Sequence, residues 1–316
     1  MKDLFVLDAH CDTPFELWEK GRQLRSNDLH CDLRRGRTLP GWAQFFAFCP
    51  AASARTDRMS MEQIFLAAYQ DFSRQLEENE LPVCTDPAQL RQSLTQYGVA
   101  AMLSLEGGEG IGCDPGKLEL LRQMGFTMAA PTWNLENSLA GSHKTGQRLS
   151  ARGREFIRNA QKLGIVVDVS HCSDAAFWDI CELAQQPIVA SHSNSRAMCG
   201  NSRNLTDEMY RALCDLGGVA GLNFYVPFLH EKHADLETVW RHLDHFLQLA
   251  GSDCHVGLGV DLDGCDQLPT GFTGLDCYPR LAEFLMARGL SEQTLRRIFH
   301  ENFMEVYDRC TRKKTS

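Results

Sequence analysis

The sequence contains no run of about 20 apolar residues, the length that a bilayer-spanning helix needs. Its opening segment, MKDLFVLDAHCDTP, is broken by Asp8 before it reaches the length of a signal-peptide core. The carboxyl end is polar and lacks the apolar tail of a lipid-anchor signal. A cytoplasmic chain without a membrane partner is therefore expected. Basic charge is also in short supply: 32 Lys and Arg stand against 41 Asp and Glu, for a net charge of −9. That balance excludes the broad positive face that neutralises phosphates, so no nucleic-acid partner is expected. The one basic cluster, Arg312-Lys313-Lys314, reads as a solvated end. The 13 cysteines include no Cys-x-x-Cys pair, which removes a structural zinc ribbon. Their odd count and unpaired spacing point to free thiols in a reducing compartment. No Gly-x-Ser-x-Gly elbow is present, which counts against a serine hydrolase. Gly112 to Lys117 is one residue short of a phosphate loop and is followed by Leu118. His230-Glu231-Lys232-His233 is likewise too short between Glu and the second His for the zinc-protease helix motif. Repeats, low-complexity stretches and Pro/Ser-rich linkers are absent too, so one domain over 1–316 is expected.

What is present is a recurring pair of patterns. Short apolar runs bounded by turn residues fall at Leu4–Leu7, Ala43–Phe48, Val99–Leu105, Phe126–Ala130, Ile165–Val169, Ile188–Ala190, Val219–Asn223 and Val256–Val260. Most are continuous rather than alternating, as strands buried on both faces are. Segments of helical period lie between several of them. Met61, Ile64, Phe65, Ala68, Phe72 and Leu76 share one helix face, and Arg152–Leu163, Leu236–Leu249 and Leu281–Arg288 behave alike. Buried strands alternating with helices in a chain of this length predict an α/β fold, a (β/α)8 TIM barrel, over an open doubly wound sheet.

A barrel of this kind carries its chemistry just beyond the carboxyl ends of its strands. Those positions hold His10 and Asp12 after the first strand, Glu106 after the third, His171 after the fifth, His192 after the sixth and Asp261-Leu262-Asp263 after the eighth. Imidazoles and carboxylates at one rim form a ligand set suited to zinc. The i, i+2 spacing of His10 and Asp12 in extended backbone points both side chains the same way. A carboxylate at the end of an apolar strand, as Glu106 is, needs a charge partner or a metal. Of the two aspartates after the eighth strand, Asp261 stands nearer the strand end and is the expected catalytic carboxylate. The second His-x-Asp, His30-Cys31-Asp32, follows polar residues and reads as loop or helix surface. His242 and His245 read as solvated on a polar helix face.

The segments carrying these residues resemble the membrane (renal) dipeptidase family, zinc peptidases of the amidohydrolase superfamily. DAHCDTP resembles the family's His-x-Asp opening, SLEGGEGIG its Glu-Gly-Gly segment, and DVSHCSDAAFWDI and PIVASHSNSRAMCGNSRNLTDE its two histidine segments. GLGVDLDG resembles its Gly-x-Asp-Phe-Asp-Gly turn with Leu262 in place of Phe, and YPRLAEFLMARGLSEQTLRRIFHENFMEVY its closing helices. The resemblance implies two zinc ions per chain, one held by His10 and Asp12 and one by His171 and His192, with Glu106 bridging both. It implies a small dipeptide substrate whose carboxylate is received by Arg203, with Tyr225 lining the pocket and tolerance of a carboxyl-terminal D-residue. A zinc-bridging hydroxide would attack the amide, with Asp261 as general base and then general acid. One departure stands out: Trp133, beside Asn134, occupies the position of a His that steadies the substrate in animal members, and His143 lies in the following loop. The readings set against a dipeptidase are an N-acyl amino acid deacylase or lactonase on the same metals, and a metal-bound scaffold without turnover. The oligomeric state is left open, with a homodimer as the form entertained.

Overall fold

The computed structural model describes residues 4–312, so Lys313 and Lys314 of the basic tail lie outside the described residues. Eight parallel strands close in sequence order into a barrel: β1 Val6–Cys11, β2 Trp42–Phe48, β3 Val99–Glu106, β4 Phe126–Ala130, β5 Val166–Asp168, β6 Ile188–Ala190, β7 Val219–Leu222 and β8 Val256–Leu258. Closure is made where Asp8 of β1 pairs with Leu258 of β8. Every residue of these strands is buried, which is why the sequence shows them as unbroken apolar runs.

The first strand differs from the expected Leu4–Leu7. It runs on through Ala9, His10 and Cys11, so His10 stands inside the strand and not beyond it. Asp8 survives there because its carboxylate is fully hydrogen-bonded. Its carboxylate accepts from the backbone N–H of His10 at 2.9 Å and of Val260 at 3.0 Å, from the Tyr278 hydroxyl at 2.9 Å and from the Gln44 amide at 3.2 Å. Burial still pushes the Asp8 carboxyl above its ordinary range. The strand register shifts between Asp8 and Cys11, a bulge that re-aims the chain next to the site.

Alternate residues of the strands, among them Leu7 and Ala9, Ala43 and Phe45, and Ala100 and Met102, join one apolar cluster with Val166, Val189 and Val219. This is the inward face of the barrel, filled by side chains as a packed core. Phe303, Val306 and Tyr307 of the helix Asn302–Thr311 belong to the same cluster. The outward strand residues pack under the surrounding helices. Phe46 and Phe48, for example, meet Phe72 of the helix Met61–Glu78. Capping fixes where such helices begin: Ser60 and Gln63 form a reciprocal capping box, Ser150 caps Ala151–Lys162, and Asp235 caps Leu236–Ala250.

Beside the site, β7 and the residue following β8 leave no room for a side chain against the residue following β6. A Cβ on either Gly221 or Gly259 would collide with the backbone carbonyl of Ser191, the residue preceding His192. No other residue type fits at these two positions.

Candidate metal centre

The carboxyl ends of β1, β3, β5, β6 and β8 deliver His10, Asp12, Glu106, His171, His192 and Asp261 to one mouth of the barrel. The Nε2 of His10 lies 3.4 Å from Asp12 Oδ2, 3.6 Å from Glu106 Oε2 and 3.8 Å from Asp261 Oδ1. On the other side, Glu106 Oε1 lies 2.8 Å from His171 Nε2 and 3.4 Å from His192 Nε2. The donor atoms of His10, Glu106 and His192, and those of His10, Asp12 and Asp261, each fall within 4.8 Å of one another. His192 stands between the two halves, stacked on His10 at 3.7 Å and with its Nε2 3.0 Å from that of His171.

Neighbouring side chains fix which ring nitrogen faces the centre. Asp168 accepts a hydrogen bond from the Ser191 hydroxyl at 2.5 Å, and Ser191 Oγ lies 2.7 Å from His192 Nδ1. His192 therefore donates through Nδ1 and presents the Nε2 lone pair. Asn134 Oδ1 does the same for His171, lying 3.0 Å from its Nδ1. Such partners orient ligand imidazoles and raise their basicity.

The electrostatics of this cluster call for added positive charge. Burial pushes Glu106 up to about 8 and Asp261 to about 7, despite opposing pull from His10 and Arg203. Burial alone would draw His10 down, but Glu106, Asp12 and Asp261 hold it well above the ordinary range. Burial draws His171 and His192 well below it. His10 Nε2 and Glu106 Oε1 are buried without a hydrogen-bond partner. Unpartnered nitrogen and oxygen lone pairs converging on one point fit divalent cations, which would reverse this pKa pattern. Backbone strain gathers here as well: His171, Asp261 and Asp263 adopt left-handed φ of 69°, 67° and 67°. That conformation is uncommon outside glycine and clusters at functional sites.

The two aspartates after β8 separate cleanly. Asp261 faces the centre and accepts from the Asn223 amide at 2.9 Å. Asp263 turns away, accepting from the Thr13 hydroxyl and the His30 backbone N–H, both at 2.6 Å. His30-Cys31-Asp32 is thus not a surface segment. Cys31 and Asp32 are buried, Asp32 caps the short helix Leu33–Gly36, and His30 Nδ1 receives the Asp263 N–H at 2.9 Å.

A cavity of about 210 Å³ opens over the centre, lined among others by Trp133, Asn134, Tyr225 and Phe228. Arg203 is buried next to the lining residue Phe228, only 3% exposed, with its guanidinium 5.7 Å from that ring's centroid. Its Nη1 donates to Ser193 Oγ at 2.8 Å, while Nε and Nη2 are buried without partners. Burial draws its pKa down, and Glu106, Asp261 and Asp168 counter that. Tyr225 packs edge-on to Phe228. Trp133 stands 6.3 Å from the His171 ring. His143 does reach this region: its Nε2 donates to Asn134 Oδ1 at 3.1 Å and its Nδ1 accepts from the Ser202 hydroxyl at 2.9 Å. Burial pushes its pKa down to about 4.

His242 departs from its expected solvated position. It is 1% exposed, accepts the Ser195 N–H on Nδ1 at 3.1 Å and donates from Nε2 to the Leu229 carbonyl at 3.0 Å. It thereby ties the loop after β6 to the segment bearing Phe228. His245 is half-buried against Asp207 at 2.8 Å. Sequence reasoning missed Asp8, Asp168 and the clamping role of Asn134. Only the polar character of Asp8 and Asp168 inside apolar runs signalled them.

A barrel with this mouth defines a class, the metal-dependent hydrolases. The model of the membrane dipeptidase family, peptidase family M19, matches residues 1–316. The chain is 34% identical over 239 residues to an uncharacterised protein from the pqqA 5′ region of Klebsiella pneumoniae, covering 72% of this chain and 88% of that one. It is 31% identical over 215 residues to an uncharacterised dipeptidase of Schizosaccharomyces pombe, covering 66% of this chain and 53% of that one. A metallopeptidase of Rhodobacter sphaeroides, solved with a phosphinate mimic of the dipeptide L-Ala-D-Ala, superposes with a TM-score of 0.87 at 27% identity, covering 98% and 99% of the two chains. The chain belongs to the membrane dipeptidase family and is a metallo-dipeptidase of that family.

Proposed function

We propose that the chain hydrolyses dipeptides with two zinc ions, the first held by His10 and Asp12, the second by His171 and His192, and both by Glu106. The observation that carries this reading is the split of Glu106, whose Oε2 faces His10 and whose Oε1 faces His171 and His192. A zinc pair, when bound, supplies Lewis acidity and a water of lowered pKa for attack on the amide.

The remaining work falls to side chains. Asp261, held by Asn223, takes a proton from the attacking water at Oδ1 and returns it to the leaving amine. The free Nε and Nη2 of Arg203 form a planar fork for the dipeptide's carboxylate. Tyr225 and Trp133 wall the pocket and exclude water. Recognition through the carboxylate leaves the stereochemistry of the carboxyl-terminal residue loosely constrained, in keeping with the L-Ala-D-Ala mimic held by the Rhodobacter relative.

The test combines metal and mutation. Exhaustive chelation should abolish dipeptide hydrolysis and zinc should restore it. Asp261→Asn should retain zinc while kcat falls by at least about 100-fold. Turnover that persists without metal rejects the reading, and a fully active Asp261→Asn enzyme removes that residue from proton transfer.

A further inference from the structure

Six carboxylates line the cavity, namely Asp12, Glu16, Glu19, Glu106, Asp261 and Asp263, and among the described residues neither lysine nor arginine does. Asp12, Glu106 and Asp261 belong to the centre described above, and Asp263 is taken up by Thr13 and His30. Glu16 and Glu19 have no part in that chemistry. Both lie on helix α1, Thr13–Lys20, directly after β1, and with Ala52 and Ser53 after β2 they form one wall.

The position of this wall within the closed barrel gives it a meaning. In a ring of eight strands taken in order, β6 lies across the axis from β2, the strand against which α1 packs. Arg203 follows β6, so it and the Glu16/Glu19 wall stand on opposite sides of the mouth. A dipeptide whose carboxylate is held at Arg203, with its amide over the centre, must direct its amino-terminal residue toward α1. We infer that Glu16 and Glu19 form the pocket for that side chain and select dipeptides beginning with a cationic residue, lysine or arginine. This assignment rests on the dipeptidase reading and names its substrate class.

The partners these carboxylates already have do not cancel the selection. Glu16 pairs with Lys20, and Glu19 accepts from the Ser53 hydroxyl and from Arg55 Nε at 3.0 Å. The Lys20 and Arg55 side chains are 53% and 43% exposed, whereas those of Glu16 and Glu19 are 28% and 20% exposed. Lys20 thus stands outward in solvent and its pair with Glu16 holds weakly, whereas Arg55, 4.3 Å over the Trp18 ring, stays with Glu19 on the outer side. A substrate ammonium or guanidinium entering from the cavity side exchanges with Lys20 at little loss, while an acidic side chain meets two carboxylates without a free cation.

Steady-state kinetics on the zinc-loaded enzyme with Lys-Ala, Ala-Ala and Glu-Ala provide the test. kcat/KM for Lys-Ala should exceed that for Glu-Ala by about tenfold or more, and the E16Q/E19Q double variant should bring the ratio toward unity. Equal efficiency on all three substrates overturns the inference while leaving the dipeptidase reading intact. A ratio that survives in the double variant overturns the assignment to these two residues. Should E19Q release Ser53 and Arg55 and prevent folding, E16Q alone must lower the ratio, and raised salt must compress it in the unaltered enzyme; failure of either refutes the electrostatic selection. Failure to cleave any of the three is a separate result that removes the dipeptidase reading itself.

Discussion

Replacing Arg203 with methionine should damage the enzyme and strengthen the protein at once. The guanidinium is 3% exposed yet has one hydrogen-bond partner, Ser193, and two unpartnered nitrogens. Replacing buried ionic groups as a set by apolar side chains of similar volume is often neutral or stabilising, by about 1–4 kcal/mol, and among the described residues no carboxylate lies within salt-bridge distance of Arg203 to be stranded by its loss. In a chain of this size that should appear as a rise of about 2–5 °C in the Tm of the zinc-loaded protein. Catalysis should move the other way. Removing one partner of a desolvated charge pair costs about 2–5 kcal/mol, equivalent to about 30-fold to several thousandfold in kcat/KM. Differential scanning fluorimetry reads the first effect and initial-rate kinetics on Ala-D-Ala the second. A C-terminally amidated dipeptide sharpens the assay, because it should be cleaved equally poorly by both enzymes. A Tm that falls by several degrees while kcat/KM stays within about twofold would refute the reasoning and make Arg203 a structural residue.

Two further outcomes follow from the centre itself. Burial holds the metal-free carboxyls of Glu106 and Asp261 up to about 8 and about 7, so a metal ion binding there must displace their protons. Zinc affinity measured by competition with a chelator should therefore rise by at least about tenfold between about pH 6 and about pH 7 and flatten above about pH 8. By the same sign, the contribution of these two carboxyls to the stability of the metal-free protein falls as pH rises through that window, because both bind protons more tightly folded than unfolded, while His171 and His192, held below their ordinary range, contribute in the opposite direction. A flat affinity profile would contradict the burial-driven shifts. Asn134→Leu removes the acceptor shared by His171 and His143, and zinc affinity should fall by about 10- to 100-fold. Unchanged metal content under chelator challenge would show that His171 needs no such clamp.

The barrel could be read from the sequence because parallel strands buried on both faces appear as plain apolar runs. Phe126–Ala130 needed nothing more than that, whereas the run at Ala43–Phe48 reads equally as buried loop and is the strand Trp42–Phe48. The reading slipped at β1, where polarity at Asp8 and His10 hid a strand that four hydrogen-bond donors make tolerable. The residues brought to the mouth were legible because imidazoles and carboxylates recur directly after apolar runs. Their supporting groups were not. A single sequence gives no sign that Asn134 clamps His171, or that Ser191 relays Asp168 to His192, since those contacts join different strands. His242 misled for a related reason: helical periodicity assigns a face, but the segment after β7 folds back over that face and buries it.

Positions that lack side chains govern the centre as firmly as the ligands do. Because Gly221 and Gly259 leave room for the Ser191 carbonyl, an alanine at either would wedge three neighbouring strands apart at the point from which His192 projects. The imidazole would be displaced with its chemistry intact, so such an enzyme could keep every ligand and still lose the geometry that makes them a set. A search for inactivating substitutions confined to polar residues would overlook the two most economical ones.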